Sequence, residues 1–398
     1  MEASTEKIAY EQARCPLCEA VSPREFLFRG QVPVHQNLLM RDQQAAIDIP
    51  RGELSLTVCE ECGFIFNRAF DQQKIMYGED YENTQACSPS FNEYMDGLVR
   101  HMIEERNVRD CHVVEVGCGN GLFLRKLVAY EGAGNRGYGF DPSYTGEASE
   151  LDGRLKFATR YYDSECADVP ADVVISRHVI EHVPRPVSLL RDIKKALARA
   201  PEARIFFETP CVEWILRNQV IWDFFYEHCS YFTARSLTTA FEMAGFKVES
   251  VRHVFAGQYL WLEATLPDAK LAVSKQPGET AALAEAFARA ENDLKRDWES
   301  KIQSLARQGK VALWGAGAKG VTFANLIDPE RCWIDCIVDL NPLKQGHFVP
   351  GTGHPIVSHR DLTKRGVTSA ILMNPNYMQE NSSLLQAAQS DVRLIEKL

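Results

Sequence analysis

The sequence predicts an α/β protein in three parts: a small cysteine-rich module, a Rossmann-like parallel-sheet domain, and a second Rossmann-like domain behind a long helix. Three observations predict it. Two Cys-x-x-Cys pairs, Cys15/Cys18 and Cys59/Cys62, stand near the N-terminus. The run HVVEVGCGNGLFLRKLVAY passes from a buried apolar strand through glycines into a helical pattern. KVALWGAGAKG repeats that strand–glycine–helix arrangement much later in the chain.

Composition narrows the class. The chain has 398 residues, room for two or three domains, with 45% hydrophobic and 25% charged residues. A net charge of -10 argues against a nucleic-acid partner, which asks for a basic face. No apolar run has the length of a bilayer span, so no membrane partner is expected. The opening MEASTEKIAYEQAR lacks the apolar core of an export signal, which points to a cytoplasmic protein. In a reducing compartment twelve cysteines read as metal ligands and free thiols rather than disulfides.

The elements follow in order. Residues 1–70 form the first module. Each Cys-x-x-Cys can turn two thiolates toward one cation, so Cys15, Cys18, Cys59 and Cys62 are expected to hold a structural Zn²⁺. The plain alternative is four reduced thiols in a packed module. Residues 71–265 form the second domain. Phe91, Tyr94, Met95, Leu98 and Met102 share one helical face, and the polar stretch before them, with Tyr77 and Tyr81, reads as a lid loop. In Glu115-Val-Gly117-Cys-Gly119-Asn-Gly121 the glycines let the chain turn sharply and a ligand lie against the backbone. Asp141 ends the next strand, where a carboxylate can accept the ribose hydroxyls of an adenosyl group. Then come ADVVISRHVIEHVPRP, with His178 and His182, the strand ARIFFETP, and FFYEHCSYFT, with Tyr226, Glu227 and His228 side by side. Cys118 and Cys229 read as packing, and Trp214, Trp222, Phe224 and Phe225 as core and pocket wall. Residues 266–300 are a linker and a long polar helix, and 301–398 the last domain. There Lys319 follows the glycines and Asp339 ends the second strand, a pattern open to NAD, to another nucleotide's diphosphate, or to no ligand. Asn374 and Asn376 end a later strand.

GQVPVHQN, VCEECGFIFN, VVEVGCGNGLFL, EHCSYFT, FVPGTGHPI and NPNY together resemble the deoxysugar C-methyltransferases, over nearly the whole chain. The resemblance implies a class I S-adenosylmethionine (SAM) methyltransferase domain, with Glu115, Gly117, Gly119, Gly121 and Asp141 around SAM. It implies a nucleotide-linked 4-keto sugar as substrate, methylated on carbon next to the ketone. His228 would be the base, Glu227 would orient or polarise, and His182 and Tyr81 would stabilise the enolate. Tyr226, Lys319 and Asn374 would contact substrate. One position departs from the family: Phe225 stands where a tyrosine is usual, two residues before the glutamate. Methylation of oxygen or nitrogen on another small molecule is the alternative reading.

Overall fold

A computed structural model describes residues 14–21, 23–75, 80–267, 273 and 275–396. Tyr77 lies outside the described residues. The strands in chain order are β1 (Pro23–Pro33), β2 (Arg51–Cys59), β3 (Ile65–Asn67), β4 (His112–Val116), β5 (Arg136–Phe140), β6 (Ser149–Glu150), β7 (Leu155–Ala158), β8 (Val173–Arg177), β9 (Arg204–Pro210), β10 (Ser230–Tyr231), β11 (Lys247–Val254), β12 (Tyr259–Thr265), β13 (Lys310–Trp314), β14 (Ile334–Val338), β15 (Ile356–Val357), β16 (Val367–Leu372) and β17 (Arg393–Ile395).

They form three sheets. The central one runs β11-β12-β9-β8-β4-β5-β7-β6, with β4, β5, β7, β8 and β9 parallel and the β11–β12 hairpin antiparallel at the end. This is the expected methyltransferase sheet. Its central strands are buried on both faces, which is why HVVEV and VVISR read as unbroken apolar runs. The chain reverses direction across the sheet between β4 and β8, and ligands of open parallel sheets bind in the crevice at such a point. The third sheet, β15-β14-β13-β16-β17, is parallel throughout and reverses in the same way between β13 and β16.

The first sheet holds a surprise for a linear reading. Its order is β1-β2-β3-β10, so Ser230 and Tyr231 pair with Phe66 and Ile65 of the cysteine module. The two residues that follow His228 by two and three positions thus form an edge strand of the N-terminal sheet, although more than 160 residues separate them from their partners in the chain. Strand pairing across that distance leaves no local signal.

The linker helix spans Thr280–Ala306 and runs unbroken through residue 300. It is polar in composition, yet Ala284, Phe287, Glu291, Trp298, Ile302 and Leu305 bury one stripe at helical spacing. Phe287 packs edge-on against Phe224 at 5.2 Å, and Trp298 meets Trp222 at 5.5 Å and Phe323 at 5.1 Å. The helix therefore wedges between the N-terminal sheet, the His228 segment and the last domain. The lid-side helix Pro89–Arg100 starts where sequence chemistry says it should: Ser88 accepts the Phe91 amide and Pro89 fills the first turn. Among the described residues no helix is long and apolar enough to cross a membrane.

Candidate functional site

The four cysteines converge. Sγ of Cys15 lies 3.8 Å from that of Cys62, and Sγ of Cys18 lies 3.6 Å from that of Cys59. All four sulfurs are buried and within 4.8 Å of one another. A tetrahedral ion with Zn–S bonds of about 2.3 Å holds its sulfurs about 3.8 Å apart, so the donor set fits zinc. Four thiolates leave no coordination position free, and such an ion would be structural. We expect purified protein to carry one zinc per chain at this cluster and Cys15→Ser to lose it, read by plasma emission spectrometry. A fully folded wild type free of metal would refute this.

The glycine-rich turn after β4 is shaped for a ligand. Gly117 has φ +71°, and a Cβ there would fall 2.2 Å from Val179 Cγ2. Gly119 has φ +52° and faces open space, with nothing within 4 Å of a built Cβ. Asp141 Oδ2 accepts the Gly119 amide at 2.8 Å, and Oδ1 accepts the Ser143 amide and hydroxyl at 2.8 and 2.6 Å. A carboxylate has about four acceptor positions, so Asp141 braces the turn and keeps capacity for a ribose hydroxyl. Glu115 is fully enclosed beneath the turn. Burial raises its carboxyl to about 8, against the opposing pull of Arg177, so it is held protonated at neutral pH. Its Oε2 has no protein partner. Gly121 closes the turn with φ +76° ahead of the helix Leu122–Ala129.

The stretch Phe224–Thr233 is a tight return held from several sides. The Tyr231 hydroxyl accepts the Phe225 amide and donates to the Phe225 carbonyl, at 3.2 and 3.1 Å. Ser230 Oγ donates to the Val183 carbonyl at 2.7 Å, which ties the return to the loop after β8. Arg29 donates to the carbonyls of Ile221 and Phe224 at 2.6 and 3.1 Å. In this frame His228 meets His182 with ring centroids 4.7 Å apart at 89°, and Phe225 with centroids 4.1 Å apart. Nitrogens of His182 and His228 and an oxygen of Glu181 lie within 4.8 Å of one another. Burial, then the charges of His182, His178 and Lys319, hold His228 well below the ordinary histidine value. The imidazole is therefore neutral at neutral pH and able to accept a proton.

The other expected site residues divide. Tyr81 forms an isolated antiparallel bridge with Leu38 and stands edge-on to His35 at 6.2 Å, which places it against the N-terminal module. Glu227 faces the N-terminal module: its oxygens meet His35 Nδ1 at 3.2 Å and the Gln36 amide at 2.9 Å. Its contacts are those of a tether between modules, not of a group orienting the His228 ring. Tyr226 corrects the expectation of a substrate contact. It is fully buried, its hydroxyl accepts the Asp71 amide at 2.8 Å, and its ring fills the space over Gly52, where a Cβ would fall 2.3 Å away. The turn at Tyr226 and Glu227 sends its ring into the N-terminal module. Lys319 pairs with Asp223 at 2.7 Å, donates to Gln258 Oε1 at 3.1 Å, and lies 5.3 Å from the Trp214 ring centre. Asn374 exchanges hydrogen bonds with the Gln258 amide at 2.9 and 3.1 Å and caps Asn376. Lys319, Gln258 and Asn374 thus join the mouths of the two Rossmann-like sheets. Asp339 accepts the Ala316 amide at 2.8 Å, the same brace of a glycine-rich turn that Asp141 provides in the first domain.

Sequence reasoning missed a buried charge network beside this crevice. Glu208 takes Arg177 Nε at 2.6 Å and the hydroxyl of Tyr94, and lies 3.7 Å from His178 Nε2. Burial alone would raise the Glu208 carboxyl, but Arg177 and His178 outweigh it and hold it at about 2. Each member lies in a stretch with a sequence signal of its own, but Tyr94 and Glu208 are 114 residues apart, and nothing local announces that they meet.

Residues 90–251 match the family model for a methyltransferase domain, and 274–395 match the C-methyltransferase C-terminal domain. The chain is 25% identical over 390 residues to the C-methyltransferase NovU of Streptomyces niveus, covering 92% of this chain and 90% of that protein. A shorter match, 32% identical over 119 residues, joins it to the ubiquinone biosynthesis O-methyltransferase of Yersinia enterocolitica, covering 28% of this chain and 46% of that one. Among solved structures, magnesium protoporphyrin IX methyltransferase from Synechocystis, with bound S-adenosylhomocysteine, superposes with TM-score 0.35 and 18% identity over 45% of this chain and 84% of that one. Sheet order, the braced glycine turn and the matched domains agree on one conclusion: the chain is a SAM-dependent methyltransferase with a class I Rossmann-like domain and a second α/β domain behind it.

Proposed function

We propose that the protein methylates carbon next to the ketone of a nucleotide-linked 4-keto sugar. The single observation that carries the chemistry is the neutral imidazole of His228, set beside His182 under the wall of Phe225. A C–H beside a carbonyl gives up its proton only to a positioned base, and a neutral imidazole is a suitable one. The match to a C-methyltransferase over 92% of the chain, and to the C-methyltransferase C-terminal domain, supports carbon as the acceptor.

On this reading His228 takes the α-proton. The enolate oxygen then needs donors in a site that excludes water; His182, whose ring meets that of His228, and Tyr81 are the groups proposed to supply them. SAM, when bound, supplies an electrophilic methyl group. On this reading Gly119 gives it backbone clearance, Asp141 receives the ribose, and Glu115 is the buried acid just before the turn. Lys319 and Asn374, at the joint between the two sheets, are the groups proposed to meet the nucleotide end of the sugar.

Mass spectrometry tests the reading directly. Full-length enzyme is incubated with SAM and a panel of nucleoside-diphosphate 4-keto sugars, and fragmentation locates any methyl added. One methyl on a ring carbon is expected, together with solvent deuterium at that carbon when SAM is withheld. A methyl on oxygen or nitrogen would instead give His228 the role of deprotonating a heteroatom.

A further inference from the structure

The carboxylate of Glu181 poses a problem of charge for a neutral His228. It lies in the loop after β8, and one of its oxygens is within 4.8 Å of a His228 nitrogen. A carboxylate that close favours the imidazolium, and an imidazolium cannot accept a proton. The neutral resting form of such a base is favoured when the carboxylate's charge is offset.

His178 can offset it. Its Nδ1 is 3.3 Å from Glu181 Oε1, while Thr209 Oγ1 donates to Glu181 Oε2 at 2.9 Å. Its Nε2 is 3.7 Å from Glu208 Oε1. The ring stands edge-on to Tyr259 with centroids 4.6 Å apart. Its backbone has φ +54°, in the left-handed region where few side chains sit without strain. That placement is maintained only because the surroundings over-determine it, and such strain gathers at working parts of a site. We propose that His178 is a positioning residue: paired with Glu181 and Glu208, it cancels the carboxylate charge beside His228 and leaves that imidazole free to take a proton.

The charges on every side fit this role. His178 faces Glu181 from its own loop, Glu208 from β9 and Tyr259 from β12, with Arg177 next to it in the chain and Tyr94 reaching Glu208 from the lid-side helix. His228 faces His182 and Glu181 from the loop after β8 and Tyr231 from its own segment, and feels Lys319 from the helix Ala318–Ile327. Burial works against a charge on His178, yet Glu208 and Glu181 raise it to about 9, while His228 is driven the other way. Two neighbouring imidazoles whose affinities for a proton are pushed apart take different roles, one a fixed cation and the other a base.

The inference rests on the reading of His228 as base, and its test can fail separately. Full-length protein labelled with ¹³C at histidine Cε1 is titrated by NMR without substrate, with the His228 signal assigned by its absence in His228→Gln. Asparagine tolerates the left-handed backbone, so His178→Asn removes the charge with little strain. We expect the His228 midpoint to rise by roughly one pH unit in His178→Asn, the size of a charge interaction across several ångströms of protein interior. In His178→Asn/Glu181→Gln, which removes both charges, the midpoint should return toward the wild-type value. General loosening of the site would not produce that reversal. A midpoint in His178→Asn no higher than wild type, or one in the double variant as high as in the single, overturns the proposal. Near-normal turnover of His228→Gln would remove the base assignment while leaving the titration result standing.

Discussion

His228→Gln is expected to lower kcat by about 10²–10⁴-fold, the usual contribution of a positioned general base, while binding of S-adenosylhomocysteine by calorimetry stays within a few-fold of wild type. The split follows from position. His228 sits on the return between Phe224 and Thr233, whereas the braces of the cofactor turn are Gly119 and Asp141. Glutamine keeps a polar side chain of similar reach and removes the basic nitrogen. The wild-type pH profile carries the same signature with a defined sign. A base must be unprotonated to work, and His228 is held well below the ordinary value of about 6.5. Activity should therefore be flat through neutral pH and fall only below it. An acid limb centred above pH 7, or a variant with near-normal kcat, would exclude His228.

The second large effect is on stability. Arg29 is buried, donates to Glu291 Oε1 from Nε at 2.9 Å, and spends its remaining nitrogens on the carbonyls of Ile221 and Phe224. It joins the N-terminal sheet, the long helix and the His228 segment at one point. Arg29→Met is expected to cost about 3–5 kcal/mol in urea unfolding, because it strands a buried carboxylate and two backbone carbonyls. Lys295, 3.4 Å from Glu291, recovers only part of this. Adding Glu291→Leu should restore much of the loss, since no lone charge then remains. A loss below about 1 kcal/mol in the single variant would show that the clamp contributes little.

Much of the architecture was legible because its signals are local. Buried parallel strands read as apolar runs, the two glycine-rich turns announce themselves, and two Cys-x-x-Cys pairs predict a four-thiolate cluster that the fold assembles. The positions of Asp141 and Asp339 at the ends of the strands beside their glycine turns were legible from spacing, whereas the bond by which each braces its turn was not. The surroundings of Tyr226 and Glu227 were not legible in the sequence. The two form a turn, and both meet the N-terminal module, Tyr226 at Asp71 and Glu227 at His35 and Gln36. Nothing in FFYEHCSYFT records that its strand would pair with β3.

The sequence by itself therefore determined the three-part order, the methyltransferase sheet, the cysteine cluster and the glycine turns, all written in short-range spacing. Tertiary structure alone decided what surrounds His228: the charge network of Tyr94, Arg177, His178, Glu181 and Glu208, the tether through Glu227, and the joint of Lys319, Gln258 and Asn374. These contacts form between residues far apart in the chain, and a side chain's protonation depends on burial and neighbours rather than on its position in the sequence.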